Sequence, residues 1–480
     1  MISSFYEQYQ IMKTKYADSV VFRWVDTDGK SVCSRTYSQY CADIRRYVAY
    51  LKDKLGELDG KHIAILSQNR YDYFVAIYAG LLMNCVLVPL NYQKDLSEIL
   101  DEAERADVSA AIVAPDALEW LPGLAEKYTG ELIDMFGYRE YPDSEIENVS
   151  ELEALALIIY TSGTTGLSKG VMLSQKNLLY TYSADSFNSD YMSYLNSKAG
   201  TASYFHVLPM FHVSGLRAFD FLFVEGTIII CETPKYLYRD LSLMPCSCAA
   251  FVPVFFSSLL NDIKNGHRNR LGSISLFYTG GANVDAEAIS ALLDCGYFVE
   301  NRYGLTESTG FGIINTSQNK KYAASIGRKE AIAQVRLDDG ELCLRGDTIF
   351  MGYYKDPEST AEVFDEDDWF HTGDLARVDE EGYYYITGRK KNLIILSGGE
   401  NVSPEELEKR LLADSDITEV VVKEKDGHIA AEIFCEAEKQ AEIKAFVAEL
   451  NKTLPTYKFI AEVEFRDKPF ERTSTGKIKR

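Results

Sequence analysis

Residues 160–174 read YTSGTTGLSKGVMLS. An apolar run, ALALIIY, leads into a loop of glycines and hydroxylated residues with Lys169 behind it. Gly163 and Gly166 let the backbone curl so that successive N–H groups converge. Thr161, Ser162, Thr164 and Thr165 add hydroxyl donors, and Lys169 adds positive charge. This is the chemistry of a polyphosphate cradle, although such a cluster taken alone also suits a plain surface loop. The Walker pattern G-x-x-x-x-G-K-[ST] fails, because Gly170 follows Lys169, and the stretch is not a G-x-G-x-x-G loop either. Downstream, NRYGLTES carries Thr306 and Glu307, WFHTGD carries Asp374, and RTSTGKIKR carries Lys477.

Positioning these residues requires rigid elements. KHIAILSQN, CVLVPLN and SAAIVAP read as strands, with the helical periods RYDYFVAIYAGLLM and DLSEILDEAERA between them. A βαβαβ order implies a parallel sheet covered by helices. The pattern returns in CAAFVP, PVFFSSLLNDI, ISLFYTGG, DAEAISALLDCG and YFVENRYG, so two α/β lobes are expected. From about residue 330 the style becomes antiparallel β: Asp339-Gly340 and Glu381-Gly382 mark hairpin turns. A small α+β section closes the chain. In it SPEELEKRLL predicts a helix with Ser403 as N-cap, Pro404 at N1 and Glu406 completing a capping box, and VVVKEKDGHIAAEIF predicts a hairpin about Asp426-Gly427. The fold class is therefore α/β: a large N-terminal domain of two α/β lobes plus a β-rich section over 1–387, and a small mobile α+β C-terminal domain over 388–480.

A length of 480 residues suits two or three domains. The net charge of −22 excludes the basic face that nucleic-acid binding needs. Nine scattered cysteines show no zinc spacing, and they suit free thiols in a reducing cytosol. FVAIYAGLLMNCVLVPL is interrupted by Asn84 and Pro89 and falls short of the ~20 residues that span a bilayer. It reads as a buried helix and then a buried strand.

Taken together, YTSGTTGLSKG, LPMFHVSG, YTGGA, NRYGLTES, LCLRGDTIFMGYY, WFHTGD, GRKKNLIILSGGENVSPEELE, LPTYKF and RTSTGKIKR occur in the order found in the adenylate-forming superfamily. That superfamily comprises acyl-CoA synthetases, peptide-synthetase adenylation domains and luciferases, and the resemblance covers residues from about 60 to 480. It implies ATP-dependent joining of a carboxylate to AMP with loss of pyrophosphate, then attack by a thiol. It further implies Mg²⁺ on Glu307, a bond from Thr306 to the α-phosphate, and Tyr303 and Gly304 at the adenine. Gly280, Gly281 and Ala282 would let the purine approach the backbone. Asp374 would accept from the ribose hydroxyls, with Arg389 in support. Lys477 would act as a mobile electrostatic clamp on the adenylation step. Lys391 would be the hinge, and Gly398 and Gly399 the passage for the thiol arm.

His212 stands where amino-acid-activating relatives carry the Asp that pairs with the substrate amine. The resemblance therefore implies an amine-free acid, fatty or aryl, beside His212 and the apolar Phe211, Val213 and Phe311. CoA is the expected acceptor, and a separate acyl carrier protein is the alternative. An adenylation domain for an unusual acid is a further alternative, and the rival classes are an ATP-hydrolysing switch, a binding-only pseudoenzyme and a luciferase-like oxygenase. The IGRKEAIAQ stretch departs from the family's usual turn after IGRP, away from the ATP motifs.

Overall fold

The computed structural model describes residues 2–161, 168–182, 202–281, 286–329, 333–396, 400–472 and 478. They form two compact units, Met1–Gln334 with Leu344–Phe370, and Val335–Cys343 with His371–Arg480. The smaller unit thus takes in 335–343 and 371–387 besides the tail from 388.

The larger unit holds two sheets. Across the first, the strands run Gly352–Tyr353, Lys169–Ser174, Leu155–Thr161, Val86–Pro89, His62–Leu66, Ala110–Val113 and Glu131–Asp134. Its centre is parallel, with Ile63 opposite both Leu87 and Ala110, as the βαβ order requires. The helix Tyr71–Leu82 is buried along its whole length, which explains why its sequence is apolar all round. No described helix is long and apolar enough to cross a membrane. The second sheet has nine strands, among them Ser203–His206, Cys248–Ala250, Leu276–Gly280 and Phe298–Tyr303, again parallel at the centre. Phe205, Phe251, Phe256 and Phe277 fill the core on one side of it, each contributing about 1.5–3 kcal/mol by burial. The N-terminal strands Val20–Val25 and Val32–Thr36 extend its far edge, which the periodicity did not announce.

In the smaller unit both predicted Asp-Gly turns form. Asp339 and Gly340 have φ of 47° and 79°, Asp426 and Gly427 50° and 80°, the left-handed pair that a tight hairpin needs. The hairpin Glu419–Lys425/His428–Phe434 takes Ile460–Arg466 as a parallel third strand over a core of Val402, Leu407, Leu411, Ile433 and Ile443. Helix Pro404–Leu411 starts as predicted, with the Ser403 hydroxyl accepting from the Glu406 N–H at 3.4 Å. The expected capping box is only half made, because the Glu406 carboxylate takes the Lys458 ammonium at 2.6 Å instead. A charge-assisted bond to a lysine outcompetes the reach back to a single N–H.

Glu341 organises the four-stranded sheet of this unit. Its buried carboxylate accepts from Lys390 Nζ at 2.7 Å, His371 Nδ1 at 3.0 Å and the Gly373 N–H at 2.9 Å. Burial alone would raise its pKa, but the bonds from Lys390, His371 and Gly373 outweigh burial and hold it below the usual value. A depressed carboxylate stabilises the fold above its unfolded pKa, and the effect fades as pH falls through the folded one. Glu341→Gln is expected to destabilise the protein by about 2 kcal/mol at neutral pH. Denaturation curves should show the gap between variant and parent closing in acid; a gap independent of pH would contradict this account.

Candidate active site

The strands that flank the phosphate-loop stretch form an antiparallel pair. Leu155–Thr161 pairs antiparallel with Lys169–Ser174, and Thr161 faces Lys169 across the opening. Ser162, Gly163, Thr164, Thr165 and Gly166 lie outside the described residues. The far shoulder is tightly held. Arg105 donates to the Ser168 carbonyl at 2.7 Å and to its hydroxyl at 3.1 Å, while the Ser168 hydroxyl donates to the buried Glu102. Lys94 pairs with the same carboxylate, and the Arg105 guanidinium lies 4.9 Å over the Tyr160 ring. Freeing this shoulder should loosen a triphosphate grip more than it slows chemistry. Arg105→Met is therefore expected to raise the KM for ATP about tenfold with a smaller change in kcat, and steady-state kinetics at saturating acid would check the split.

Lys169 donates to the Ser359 hydroxyl at 2.7 Å and sits 4.9 Å over the Tyr353 ring. The Tyr353 hydroxyl in turn donates to Glu307 Oε1 at 3.0 Å. Tyr353 holds this place because Gly352–Tyr353 pairs as an edge strand with Val171–Met172. Among the described residues no partner occupies the other Glu307 oxygen.

Glu307 stands in the short turn Thr306–Ser308, just after the strand that ends at Tyr303. Ser308 Oγ accepts from the Leu305 N–H at 3.0 Å, and the Phe350 N–H bonds the Glu307 carbonyl at 2.8 Å. Gly304 is required by close packing: a Cβ there would lie 2.4 Å from the Gly310 carbonyl carbon. Gly280 ends the neighbouring strand, where a Cβ would lie 2.4 Å from the Arg302 carbonyl oxygen, and Gly281 has φ 75°. Ala282 lies outside the described residues. Tyr303 and Gly280 thus sit at, and Glu307 just past, the carboxyl ends of adjacent parallel strands, the usual place for ligands in such sheets.

Phe211 is buried against Tyr92, and His212 begins the short helix Val213–Leu216 with its ring 4.7 Å from that of Phe211. Val213 abuts Gly310, and Arg217 stacks on Phe311 at 5.1 Å. Val213 and Arg217 thus lie against Gly310 and Phe311, in the segment that follows Glu307.

Asp374 and Arg389 belong to the smaller unit. They face each other across strands Phe370–Val378 and Tyr384–Arg389 and form an ion pair of 2.6 Å, with Asp374 buried. Lys391 lies in the turn Lys390–Asn392. Gly398, Gly399 and Lys477 lie outside the described residues. One other donor set, Asp338, Cys343 and His371, brings ligand atoms within 4.8 Å of one another. Its histidine is already engaged by Glu341, with Lys390 on the same carboxylate.

Residues 10–354 match the family model "AMP-binding enzyme". The chain belongs to the AMP-binding enzyme family. It is 26% identical to a long-chain-fatty-acid–CoA ligase of Salmonella typhimurium over 99% of this chain and 93% of that one. It is 28% identical to a feruloyl-CoA synthase of Amycolatopsis, covering 91% of each. In fold it resembles the o-succinylbenzoate CoA synthetase of Bacillus subtilis in complex with an acyl-adenylate, with a TM-score of 0.84 at 22% identity over 98% and 96% of the two chains. This member of the AMP-binding enzymes is an AMP-forming ligase of the acyl-CoA synthetase type, and the expected fold class, mixed α/β with a larger N-terminal and a smaller C-terminal part, holds.

Three features escaped the sequence reading. Tyr353 stood inside a quoted motif, but nothing in MGYY says that its hydroxyl meets Glu307. Glu102 and Arg105 come from a helix about sixty residues before the loop they brace. The Asp374–Arg389 pairing was available in principle, since both flank a predicted hairpin whose register brings them opposite.

Proposed function

We propose that this enzyme converts an amine-free carboxylic acid, fatty or aryl, to an acyl-adenylate with release of pyrophosphate, and then to a thioester of CoA. The observation that carries the proposal is the Lys169–Tyr353–Glu307 chain. It puts the phosphate-loop lysine over the ring face, and the acidic residue of NRYGLTES on the hydroxyl, of one tyrosine. Adenylation needs the discarded phosphates and the cation-binding carboxylate to be neighbours in this way.

Glu307 suits magnesium: it offers a carboxylate oxygen, partly exposed and oriented by Tyr353 through its twin. Bound there with ATP, the ion would neutralise charge that builds at the α-phosphate. In this reading the loop 162–166 and Lys169 hold the β- and γ-phosphates, and Thr306 donates to the α-phosphate. Tyr303 stacks on adenine beside Gly280, Gly281, Ala282 and Gly304. Asp374, pre-aligned by Arg389, accepts from the ribose hydroxyls. Lys477 stabilises the anionic transition state, and His212 faces the acid. An α-amino acid is disfavoured. His212 supplies no negative charge, and the acid next in sequence, Asp220, is already paired with Arg217 at 2.5 Å, so an incoming ammonium would be buried without a partner.

Acid-dependent exchange of labelled pyrophosphate into ATP, across a panel of fatty, aryl and amino acids, tests the reading. Exchange with amine-free acids is expected, and CoA should drive net AMP formation. Exchange with no acid, or ADP as product, would overturn it. Thioester formation only on a holo-acyl carrier protein would replace the acceptor and keep the adenylation.

A further inference from the structure

Behind the acid-side residues lies a group of charges that neither the phosphate loop nor the adenine end uses. The run GLRAFDFLFV places Arg217 and Asp220 three apart on a short helical turn that packs on the second sheet. Arg217 Nη2 and Asp220 Oδ2 are 2.5 Å apart. Arg302 reaches the same Asp220 oxygen at 3.7 Å and also pairs with Glu300, on the strand that ends at Tyr303. The Asp220 side chain is 3% exposed and that of Glu300 2%, whereas Arg217 keeps 12% of its surface accessible, beside Phe311 and Gly310.

The charges balance, two of each sign, but the hydrogen bonds do not. Arg217 Nε and Asp220 Oδ1 are both buried and without a hydrogen-bond partner among the described residues, as is the nearby Tyr204 hydroxyl. A buried donor or acceptor left unmade costs about 1–3 kcal/mol, more when charged, so something polar completes this group. Burial pushes Asp220 up to about 6, against the pull of Arg217 and Arg302.

We propose that the Arg217–Asp220 pair is a specificity subsite for a hydroxyl on the tail of the acid. A hydroxyl both donates and accepts, so it satisfies Asp220 Oδ1 and Arg217 Nε together. A purely aliphatic tail leaves both unmade. A second carboxylate answers only the arginine and adds a charge to a neutral group. The inference rests on the acid-activating reading above and narrows its substrate to hydroxy acids, phenolic or ω-hydroxylated.

The test is pyrophosphate exchange with matched twins: para-hydroxyphenyl-alkanoic and ω-hydroxyalkanoic acids, their des-hydroxy forms, and the corresponding dicarboxylic acids. In the parent enzyme the preferred hydroxy acid should exceed its twin in kcat/KM by about 100-fold or more. Arg217→Lys keeps the charge and removes the Nε donor. It should cut that ratio to a few-fold, and thermal melting would confirm that the variant folds. Asp220→Asn should likewise reduce the ratio. Equal use of both twins by the parent enzyme would mean that water alone fills the group, and would overturn the inference while leaving acid activation intact. So would a preference for dicarboxylic acids, or a hydroxyl preference that survives Arg217→Lys. Exchange with no acid at all would sink the underlying reading and this one with it.

Discussion

Glu307→Gln should lower acid-dependent pyrophosphate exchange by about two to three orders of magnitude, with the fold intact. The carboxamide keeps the shape and one acceptor for the Tyr353 hydroxyl, now 3.0 Å from Oε1. It loses the negative charge that a hard cation requires. Tyr353→Phe acts one step removed. Glu307 keeps its charge but loses its orienting bond, and Lys169 keeps an aromatic face beneath it. A fall of about tenfold is expected there, with a raised magnesium requirement that excess magnesium partly rescues. Magnesium titrations of both variants separate the roles. Rescue of Glu307→Gln by magnesium, or indifference of Tyr353→Phe to it, would contradict the assignment.

The second large effect concerns the thiol step. Lys391→Pro is expected to leave pyrophosphate exchange within a few-fold of the parent and to abolish thioester formation. Proline fixes φ near −65° and disfavours helical backbone at the residue before it. Lys390, that residue, lies in a 3-10 turn beside the predicted hinge. If the section from residue 388 onward must change orientation about this point between half-reactions, restricting one torsion blocks the second and spares the first. Single-turnover transfer from enzyme-bound adenylate to CoA reads the second step alone. Equal loss of both half-reactions would refute the hinge.

Local signals carried much of this structure. The alternation of apolar strands with helical periods located the parallel centres of both sheets, because βαβ connections leave few other arrangements. The Asp-Gly pairs at 339–340 and 426–427 located two hairpins, because few residues accept that backbone. What the sequence hid was tertiary in origin. The contacts of Tyr353 with Lys169 and Glu307 join residues 184 and 46 positions apart, and they depend on a two-residue edge strand too short to show a pattern. Arg217 and Asp220 sit in an otherwise apolar run, where three-residue spacing hints at a pair but not at the arginine and glutamate of a distant strand that complete it. The Ser403 cap was legible because it is local, whereas the Glu406–Lys458 bond that displaced half of it crosses 52 positions.

The central claim is that an oxygen of the acid becomes bonded to the α-phosphorus of ATP. Turnover with acid labelled by ¹⁸O in its carboxylate and with CoA present tests it directly, by mass spectrometry of the products. One labelled oxygen carried into AMP, with unlabelled pyrophosphate, is the predicted result. Label in inorganic phosphate alongside ADP, or none in any nucleotide product, would contradict it.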